Sequence, residues 1–105
     1  MKRKPTSPGE ILHEEFLQPL GLTQKQLADH IGCDYKVINR IVNERASVTP
    51  EMAVKLAAAF ETTADFWLHA QMAIDLWNLR THKPKIRPLI RIRPRRKTNT
   101  QSLTK

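Results

Sequence analysis

The sequence predicts an all-α fold of five helices. A Ser, Thr or Asp that can cap a helix stands before each predicted helix, and twice the next residue is a proline, in Ser7-Pro8 and Thr49-Pro50. After each cap, apolar residues return every three or four positions, which is helical spacing. A chain of 105 residues with 40% hydrophobic residues has room for one modest helical core.

The first predicted helix begins at Ser7-Pro8-Gly9-Glu10, with Ser7 as the cap and Glu10 three residues later. Residues 1–6 before it are predicted to form a short, flexible, basic arm. Pro19 followed by Gly21 ends the helix. Its predicted inward face consists of Ile11, Leu12 and Phe16.

Residues 23–42 read as two short helices joined by a tight turn. Thr23 caps the first, and Gln26 can complete a capping box with it. Gly32 supplies the left-handed backbone of a sharp helix end, and Asp34 caps the second helix. The inward faces of the two helices are predicted to be Leu27, Ala28 and Ile31, and Val37, Ile38 and Ile41.

The other side of the second helix carries long hydrogen-bonding side chains: Tyr35, Lys36, Asn39 and Arg40. This is the layout of a helix-turn-helix that inserts its second helix into the DNA major groove, so these four are the predicted base contacts. Asn39 can bond an adenine edge at two points and Arg40 a guanine edge, each worth about 1–3 kcal/mol of discrimination. A phosphate contact is the alternative for Arg40, and is the commoner role for a residue such as Lys36.

Phosphate contacts are predicted beside this surface. Gln24 stands at the start of the first motif helix, where a side-chain amide and free backbone N–H groups can hold a phosphate. Lys25, Asn43 and Arg45 complete the predicted set. One such domain buries too little surface for tight binding, so two copies are expected to bind an inverted-repeat operator with half-sites about 10 bp apart.

The fourth predicted helix starts at Thr49-Pro50-Glu51, and Thr63 caps a fifth that runs to about Leu79. The fifth helix has apolar residues on more than one side, and a small domain can cover one stripe. A dimer interface containing Trp67, Ile74 and Trp77 is therefore predicted, and the alternative is that both tryptophans are ordinary core residues. The inward face of the fourth helix is predicted to be Ala53, Leu56, Ala57 and Phe60.

The net charge of +8 is unevenly distributed. Residues 80–105 contain ten of the 18 Lys and Arg residues and none of the ten acidic ones, so residues 1–79 carry a net charge of −2. We expect 80–105 to be a basic, largely extended tail, with 85–93 either a short edge strand or an extended arm.

Several chemistries are not expected. The four histidines lie at no metal-ligand spacing, the three glycines are isolated, and Cys33 has neither a second cysteine nor an activating base near it in sequence. No segment has the length of a membrane span or the pattern of a secretory signal. The sequence predicts no enzyme, no metal and no cofactor, and a cytoplasmic location, since a lone cysteine fits a reducing compartment.

The chain resembles the lambda-repressor-like, or XRE, family of helix-turn-helix domains, and within it the HigA antitoxins. The resemblance covers about Thr6 to Trp77 and implies a five-helix homodimer that represses its own promoter and binds a HigB-like, mRNA-cleaving toxin. It rests on Pro8-Gly9-Glu10-Ile11-Leu12 with Glu15-Phe16-Leu17 and Pro19-Leu20-Gly21-Leu22-Thr23, on Val48-Thr49-Pro50-Glu51-Met52-Ala53 with Leu56-Ala57, and on Phe66-Trp67-Leu68 with Gln71 and Asp75-Leu76-Trp77.

Two other functions remain open at the level of sequence. A stand-alone XRE-type repressor without a toxin partner would share every residue of the motif. An RNA- or ribosome-associated protein would bind through its polycationic tail and use the helical domain only to dimerise. The tail after Arg80 is longer and more basic than the resemblance implies, which leaves its part in partner binding open.

Overall fold

The computed structural model describes residues 3–90, which contain five helices and no strand. The predicted all-α, five-helix fold is confirmed. The first helix, α1, consists of three consecutive segments, Pro8–Ile11, Leu12–Leu17 and Gln18–Leu20. The others are α2 (Gln24–Ile31), α3 (Tyr35–Val42), α4 (Pro50–Phe60) and α5 (Ala64–Leu79).

The predicted caps begin all five helices. The Thr23 hydroxyl accepts from the Gln26 N–H at 3.0 Å, and the Gln26 side chain accepts from the Thr23 N–H at 2.8 Å, which forms the predicted capping box. Gly21 and Gly32 end α1 and α2 with φ of 66° and 75°. The remaining cap hydroxyls and carboxylate, on Ser7, Asp34, Thr49 and Thr63, accept from the N–H groups of Glu10, Lys36, Met52 and Phe66.

The middle segment of α1, Leu12–Leu17, is a π-helix, which the apolar spacing did not predict. The wider turn changes which residues face inward. Leu17 is buried together with the predicted Ile11 and Leu12, and the half-buried Phe16 packs against the same core as predicted. The predicted inward face of α3 is wrong at Val37, which is exposed although its spacing placed it inward.

The core lies between all five helices and is centred on Trp67 of α5. The Trp67 ring contacts the Phe16 ring with centroids 5.5 Å apart, and its indole N–H donates to the Thr62 hydroxyl at 2.8 Å. Burial of the indole removes a large apolar surface from water, and the hydrogen bond avoids the cost of an unpaired N–H. The buried apolar side chains are Ile11, Leu12, Leu17, Leu27, Ala28, Ile38, Ile41, Val48, Met52, Ala53, Leu56, Trp67 and Ile74.

The backbones of α1 and α3 come close together at Gly9. A Cβ atom on Gly9 would overlap the Ile41 carbonyl oxygen and lie 3.0 Å from the Cα atom of Val42. Only glycine permits this approach, which fixes the position of α3 on the rest of the domain.

Trp67 and Ile74 do not offer surface to a second chain. They are 0% and 4% exposed within the single protomer, because α5 packs this side against the core. The prediction that they lie in a dimer interface is therefore wrong for these two residues, and Trp77 is half-buried. The exposed large apolar residues of α5 are instead Phe66, Met72, Leu76 and Leu79.

The chain outside the helices is open to solvent at both ends of the described range. Residues 3–6 precede α1 without helical structure, and residues 80–90 after α5 are all exposed. In the predicted 85–93 segment, residues 85–90 form no strand, and 91–93 lie outside the described residues. Among residues 3–90, no helix combines the length and apolar character needed to cross a bilayer.

Candidate nucleic-acid interface

Helix α3 is held by one side and leaves the other free. Ile38 and Ile41 are buried beneath it, and Ala28 of α2 is fully buried at the crossing of α2 and α3. Gly32 ends α2, and the Cys33 N–H donates to the Ala28 carbonyl oxygen at 2.9 Å, which closes the tight turn. The predicted helix-turn-helix geometry is therefore present.

The opposite side of α3 brings the predicted base contacts together. Tyr35 is 44% exposed, Lys36 and Arg40 are exposed, and Asn39 is half-buried between α3 and the start of α2. Lys36 and Arg40 form no ion pair with any side chain in residues 3–90. Their charges are therefore available to a polyanion.

A side-chain hydrogen bond joins α3 to α2 on this surface. The Asn39 amide nitrogen donates to the Gln24 side-chain oxygen at 3.0 Å and contacts the Tyr35 hydroxyl at 3.4 Å. In this arrangement Asn39 offers its amide oxygen to a base, whereas the two-point adenine contact predicted from the sequence needs its nitrogen as well. The bond uses the oxygen of Gln24, at the first position of α2, and its amide nitrogen can still donate to an acceptor such as a phosphate.

The other predicted phosphate contacts differ in whether their side chains are already bonded within the protein. Lys25 forms an exposed ion pair with Asp29 at 3.1 Å. Such pairs contribute about 0–1 kcal/mol, so Lys25 can exchange Asp29 for a phosphate at little cost. Asn43 donates to the Asn39 carbonyl oxygen at 3.0 Å, and Arg45 is exposed just beyond α3.

The positive charge of the folded domain is concentrated on this surface. Residues 7–79 contain five Lys and Arg residues, and four of them, Lys25, Lys36, Arg40 and Arg45, belong to the motif or its following loop. The fifth, Lys55, lies on α4 and pairs with Glu51 at 3.6 Å. With all ten acidic residues, this range carries a net charge of 5 − 10 = −5 and still presents a basic surface on one side.

Gln71 is a supporting residue whose role the sequence pattern did not reveal. Its side-chain oxygen accepts from the Val48 N–H at 2.8 Å, and its nitrogen donates to the Asp75 carboxylate at 2.9 Å. These bonds tie α5 to the loop that follows α3. The sequence carries little signal for this role, because Gln71 is one of several polar residues in α5 and its partner, the Val48 N–H, is 23 positions away.

The loop after α3 also borders a polar cleft of about 200 Å³. The cleft lies where this loop meets the start of α1 and the last turns of α5. Its lining includes Arg45, Glu44, Ser47, Gly9, Asp75 and Asn78.

Cys33 sits in the motif turn and does not supply a nucleophile. Burial raises the pKa of its thiol, and the nearby Asp34 carboxylate acts in the same direction against the opposing effect of Lys55. The thiol is therefore protonated near neutral pH.

Fold and surface together define a DNA-binding protein of the helix-turn-helix class. Residues 14–67, about half of the sequence, match the family described as helix-turn-helix, and the chain belongs to that family. Within it, the chain is of the HigA antitoxin type. This class is not enzymatic.

Three relatives illustrate the similarity. An uncharacterised HTH-type transcriptional regulator of Haemophilus influenzae is 48% identical over 90% of this chain and 88% of its own length. The antitoxin HigA-1 of Vibrio cholerae is 44% identical over 75% of this chain and 74% of its own. The solved structure of antitoxin GraA in complex with its operator is 33% identical, covers 87% of this chain and 99% of its own, and has a TM-score of 0.74.

Proposed function

We propose that this protein is a sequence-specific DNA-binding antitoxin of a type II toxin–antitoxin pair. It represses its own operon as a homodimer on an inverted-repeat operator, and it neutralises a HigB-like, mRNA-cleaving toxin by direct binding. Both activities take place in the cytoplasm.

The observation that carries the DNA-binding part is the Asn39–Gln24 hydrogen bond of 3.0 Å. It holds a base-reading side chain of α3 and a phosphate-binding side chain of α2 in one rigid unit. Lys36 and Arg40 stand exposed beside this unit. Groups positioned before binding lose less side-chain entropy when DNA arrives, which favours a specific complex.

The homodimer is supported by the exposed apolar side of α5. Met72, Leu76 and Leu79 follow one another at spacings of four and three, and they are 52%, 62% and 54% exposed. A continuous apolar stripe on a helix is usually covered in the functional assembly. The ring of Trp77 is half-buried, with the Arg80 guanidinium 3.9 Å above its centre.

The antitoxin part is supported by the similarity to proteins named HigA and GraA antitoxins. No residue on this chain is assigned to toxin binding. The test is co-expression of the chain with the product of the adjacent gene, followed by purification through a tag on this chain. A toxin partner is expected to co-purify in a fixed ratio and to lose its ribonuclease activity in the complex.

The DNA-binding part is tested by titrating a labelled fragment of the upstream region with the full-length protein. We expect saturable binding that an unlabelled operator displaces and a scrambled fragment of equal length does not. Arg40→Ala should abolish this preference. Asn78→Ala, a polar truncation at the end of α5, should leave it intact. Equal affinity for operator and scrambled DNA would contradict the proposal.

A stand-alone repressor is the second candidate, and one observation favours it. The relative at 48% identity is described as a transcriptional regulator, not as an antitoxin. This function predicts the same operator binding with no protein partner. A small basic reading frame of about a hundred codons directly upstream, whose product co-purifies, would favour the antitoxin; absence of such a frame would favour the repressor alone.

A further inference from the structure

We infer that residues 80–90 form a basic arm that binds the DNA backbone next to the site read by α3. This inference rests on the proposed DNA-binding function and adds a second, sequence-independent contact to it. The arm is defined here as residues 80–90, which contain Arg80, Lys83, Lys85 and Arg87 and no acidic residue.

The charges of the arm are free to act. All its residues are exposed, and Lys83, Lys85 and Arg87 form no ion pair with any side chain in residues 3–90. Arg80 stacks on Trp77, which leaves the guanidinium edge accessible to a phosphate. In a run of cations without acidic neighbours, the positive side chains repel one another, and a polyanion attracts them all.

The arm leaves the domain beside the loop that follows α3. Asp75 and Asn78, in the last turns of α5, line the same cleft as Arg45, a predicted phosphate contact. The Gln71 bond to the Val48 N–H, at 2.8 Å, fixes α5 against that loop. The arm therefore begins near the phosphates that the α3 loop is expected to approach.

Acidic residues lie close to the point where the arm leaves α5, so we expect the arm to contact phosphates away from the cleft. Glu44 and Asp75 line the cleft together with Arg45, so the cleft itself does not favour a phosphate. The side chains that attract phosphates begin at Arg80 and continue along the arm. The phosphates bound by the arm are thus different from those bound at Gln24 and Lys25.

The arm is long enough to reach them. Pro84 and Pro88 lack the N–H that would continue a helix, and residues 83–88 have no helical structure. Residues 80–82 form a turn at the end of α5, where the His82 N–H donates to the Leu79 carbonyl oxygen at 3.0 Å. At about 3.3 Å per residue, residues 83–90 beyond this turn span at most roughly 26 Å, most of one turn of a DNA duplex. An arm of this length can follow the backbone beyond the half-site.

Double-stranded DNA is favoured over RNA as the occupant because the arm is anchored to the domain that carries the helix-turn-helix. Contacts of this kind carry no sequence information, so the arm is expected to raise affinity and salt dependence but not base preference. RNA binding by the arm is an outcome that the experiment can detect.

The test replaces all four cations of the arm with glutamine in the full-length chain, which keeps residues 91–105. Its matched control keeps every charge by exchanging residue types, as Arg80→Lys, Lys83→Arg, Lys85→Arg and Arg87→Lys. Operator and scrambled-duplex affinities are measured between 50 and 300 mM salt by fluorescence anisotropy. Thermal melts should be the same for all three proteins, since the arm lies outside the core.

The slope of log K against log salt is negative, and we expect it to become shallower in the glutamine variant. The change should be about 0.9 for each phosphate that the arm no longer neutralises, up to about 3.6 per protomer. The operator-to-scrambled ratio should stay the same, and the control should match the wild type. An unchanged slope in the glutamine variant would overturn the inference while leaving the proposed function intact. Preferential loss of affinity for single-stranded RNA of equal length would also overturn it. A wild-type protein without operator preference would overturn the proposed function itself.

Discussion

Asn39 donates a hydrogen bond to Gln24 at 3.0 Å, and this bond links the middle of α3 to the first position of α2. We propose that Asn39 reads a base and that Gln24 holds a phosphate. Because the bond connects the two helices of the motif, a displacement of either helix moves both side chains. Base recognition and backbone contact are therefore expected to be energetically coupled.

This coupling predicts the outcome of a double-mutant cycle on operator affinity. Asn39→Ala should weaken binding by about 1–3 kcal/mol, the usual worth of a base contact. Gln24→Ala should also weaken it, and the double variant should fall short of the sum by at least about 0.5 kcal/mol. Isothermal titration on the same operator provides the three values. Strict additivity would show that the two side chains act independently.

The dimer prediction concerns the exposed side of α5. Leu76→Glu should convert the protein to a monomer, since it places a charge in the proposed apolar interface. Leu76 is 62% exposed in the protomer, so the fold should tolerate the change. Val54→Glu on α4, at 59% exposure, is the matched control. Sedimentation analysis should give a monomer for Leu76→Glu and a dimer for Val54→Glu; identical masses would refute this interface.

Trp67 is expected to be the most important single side chain for stability. It is fully buried and its indole N–H is hydrogen-bonded, so Trp67→Ala should lower the free energy of unfolding by about 3–5 kcal/mol. Trp77→Ala removes the same side chain from a half-buried position and should cost clearly less. Urea denaturation followed by circular dichroism compares them. Equal losses would contradict the assignment of Trp67 to the core centre.

Gly9→Ala should weaken operator binding through α3. A Cβ at this position would collide with the backbone of Ile41, which has no flexible end to move aside. We expect a loss of stability of at least about 1–3 kcal/mol together with reduced operator affinity. Gly21→Ala is the control, because its Cβ meets no atom within 4 Å and only its left-handed φ of 66° is unfavourable. It should lower stability but leave operator affinity unchanged at temperatures where it is folded.

Burial raises the pKa of the Cys33 thiol, which predicts slow alkylation. At pH 8 iodoacetamide should react more slowly with the native protein than with the urea-unfolded chain, since less thiolate is present. A group with a raised folded pKa stabilises the fold below its unfolded pKa, and that contribution is lost as pH rises through the folded pKa. Cys33→Ala should therefore flatten the decline in stability on the alkaline side. Native alkylation as fast as in the unfolded chain would contradict this environment.

The sequence was sufficient where structure is determined locally. Cap residues act within three positions of themselves, which is why the starts of all five helices, from Ser7 to Thr63, could be predicted and were confirmed. The turn at Gly32 follows from the conformational freedom of glycine. The exposed polar side of α3 follows from the helical period once the turn is placed.

The features missed by sequence reasoning depend on tertiary packing. The π-helical segment Leu12–Leu17 changes the inward face of α1, and no apolar period indicates it. The burial of Trp67 and Ile74 could not be separated from dimer burial, because both give the same apolar pattern along α5. The hydrogen bond from Asn39 to Gln24 joins residues fifteen positions apart, and it changes what Asn39 can offer to a base.

The most direct test of base reading by α3 is a complete base-substitution profile of the operator for the wild type and Asn39→Ala. Every position of one half-site is changed in turn, and affinities are measured at one salt concentration. We expect the variant to lose discrimination at one position, and at its symmetry mate, while preferences elsewhere are retained. A uniform loss of affinity across all sequences, with the profile unchanged, would mean that Asn39 contacts only the backbone and would contradict the central claim.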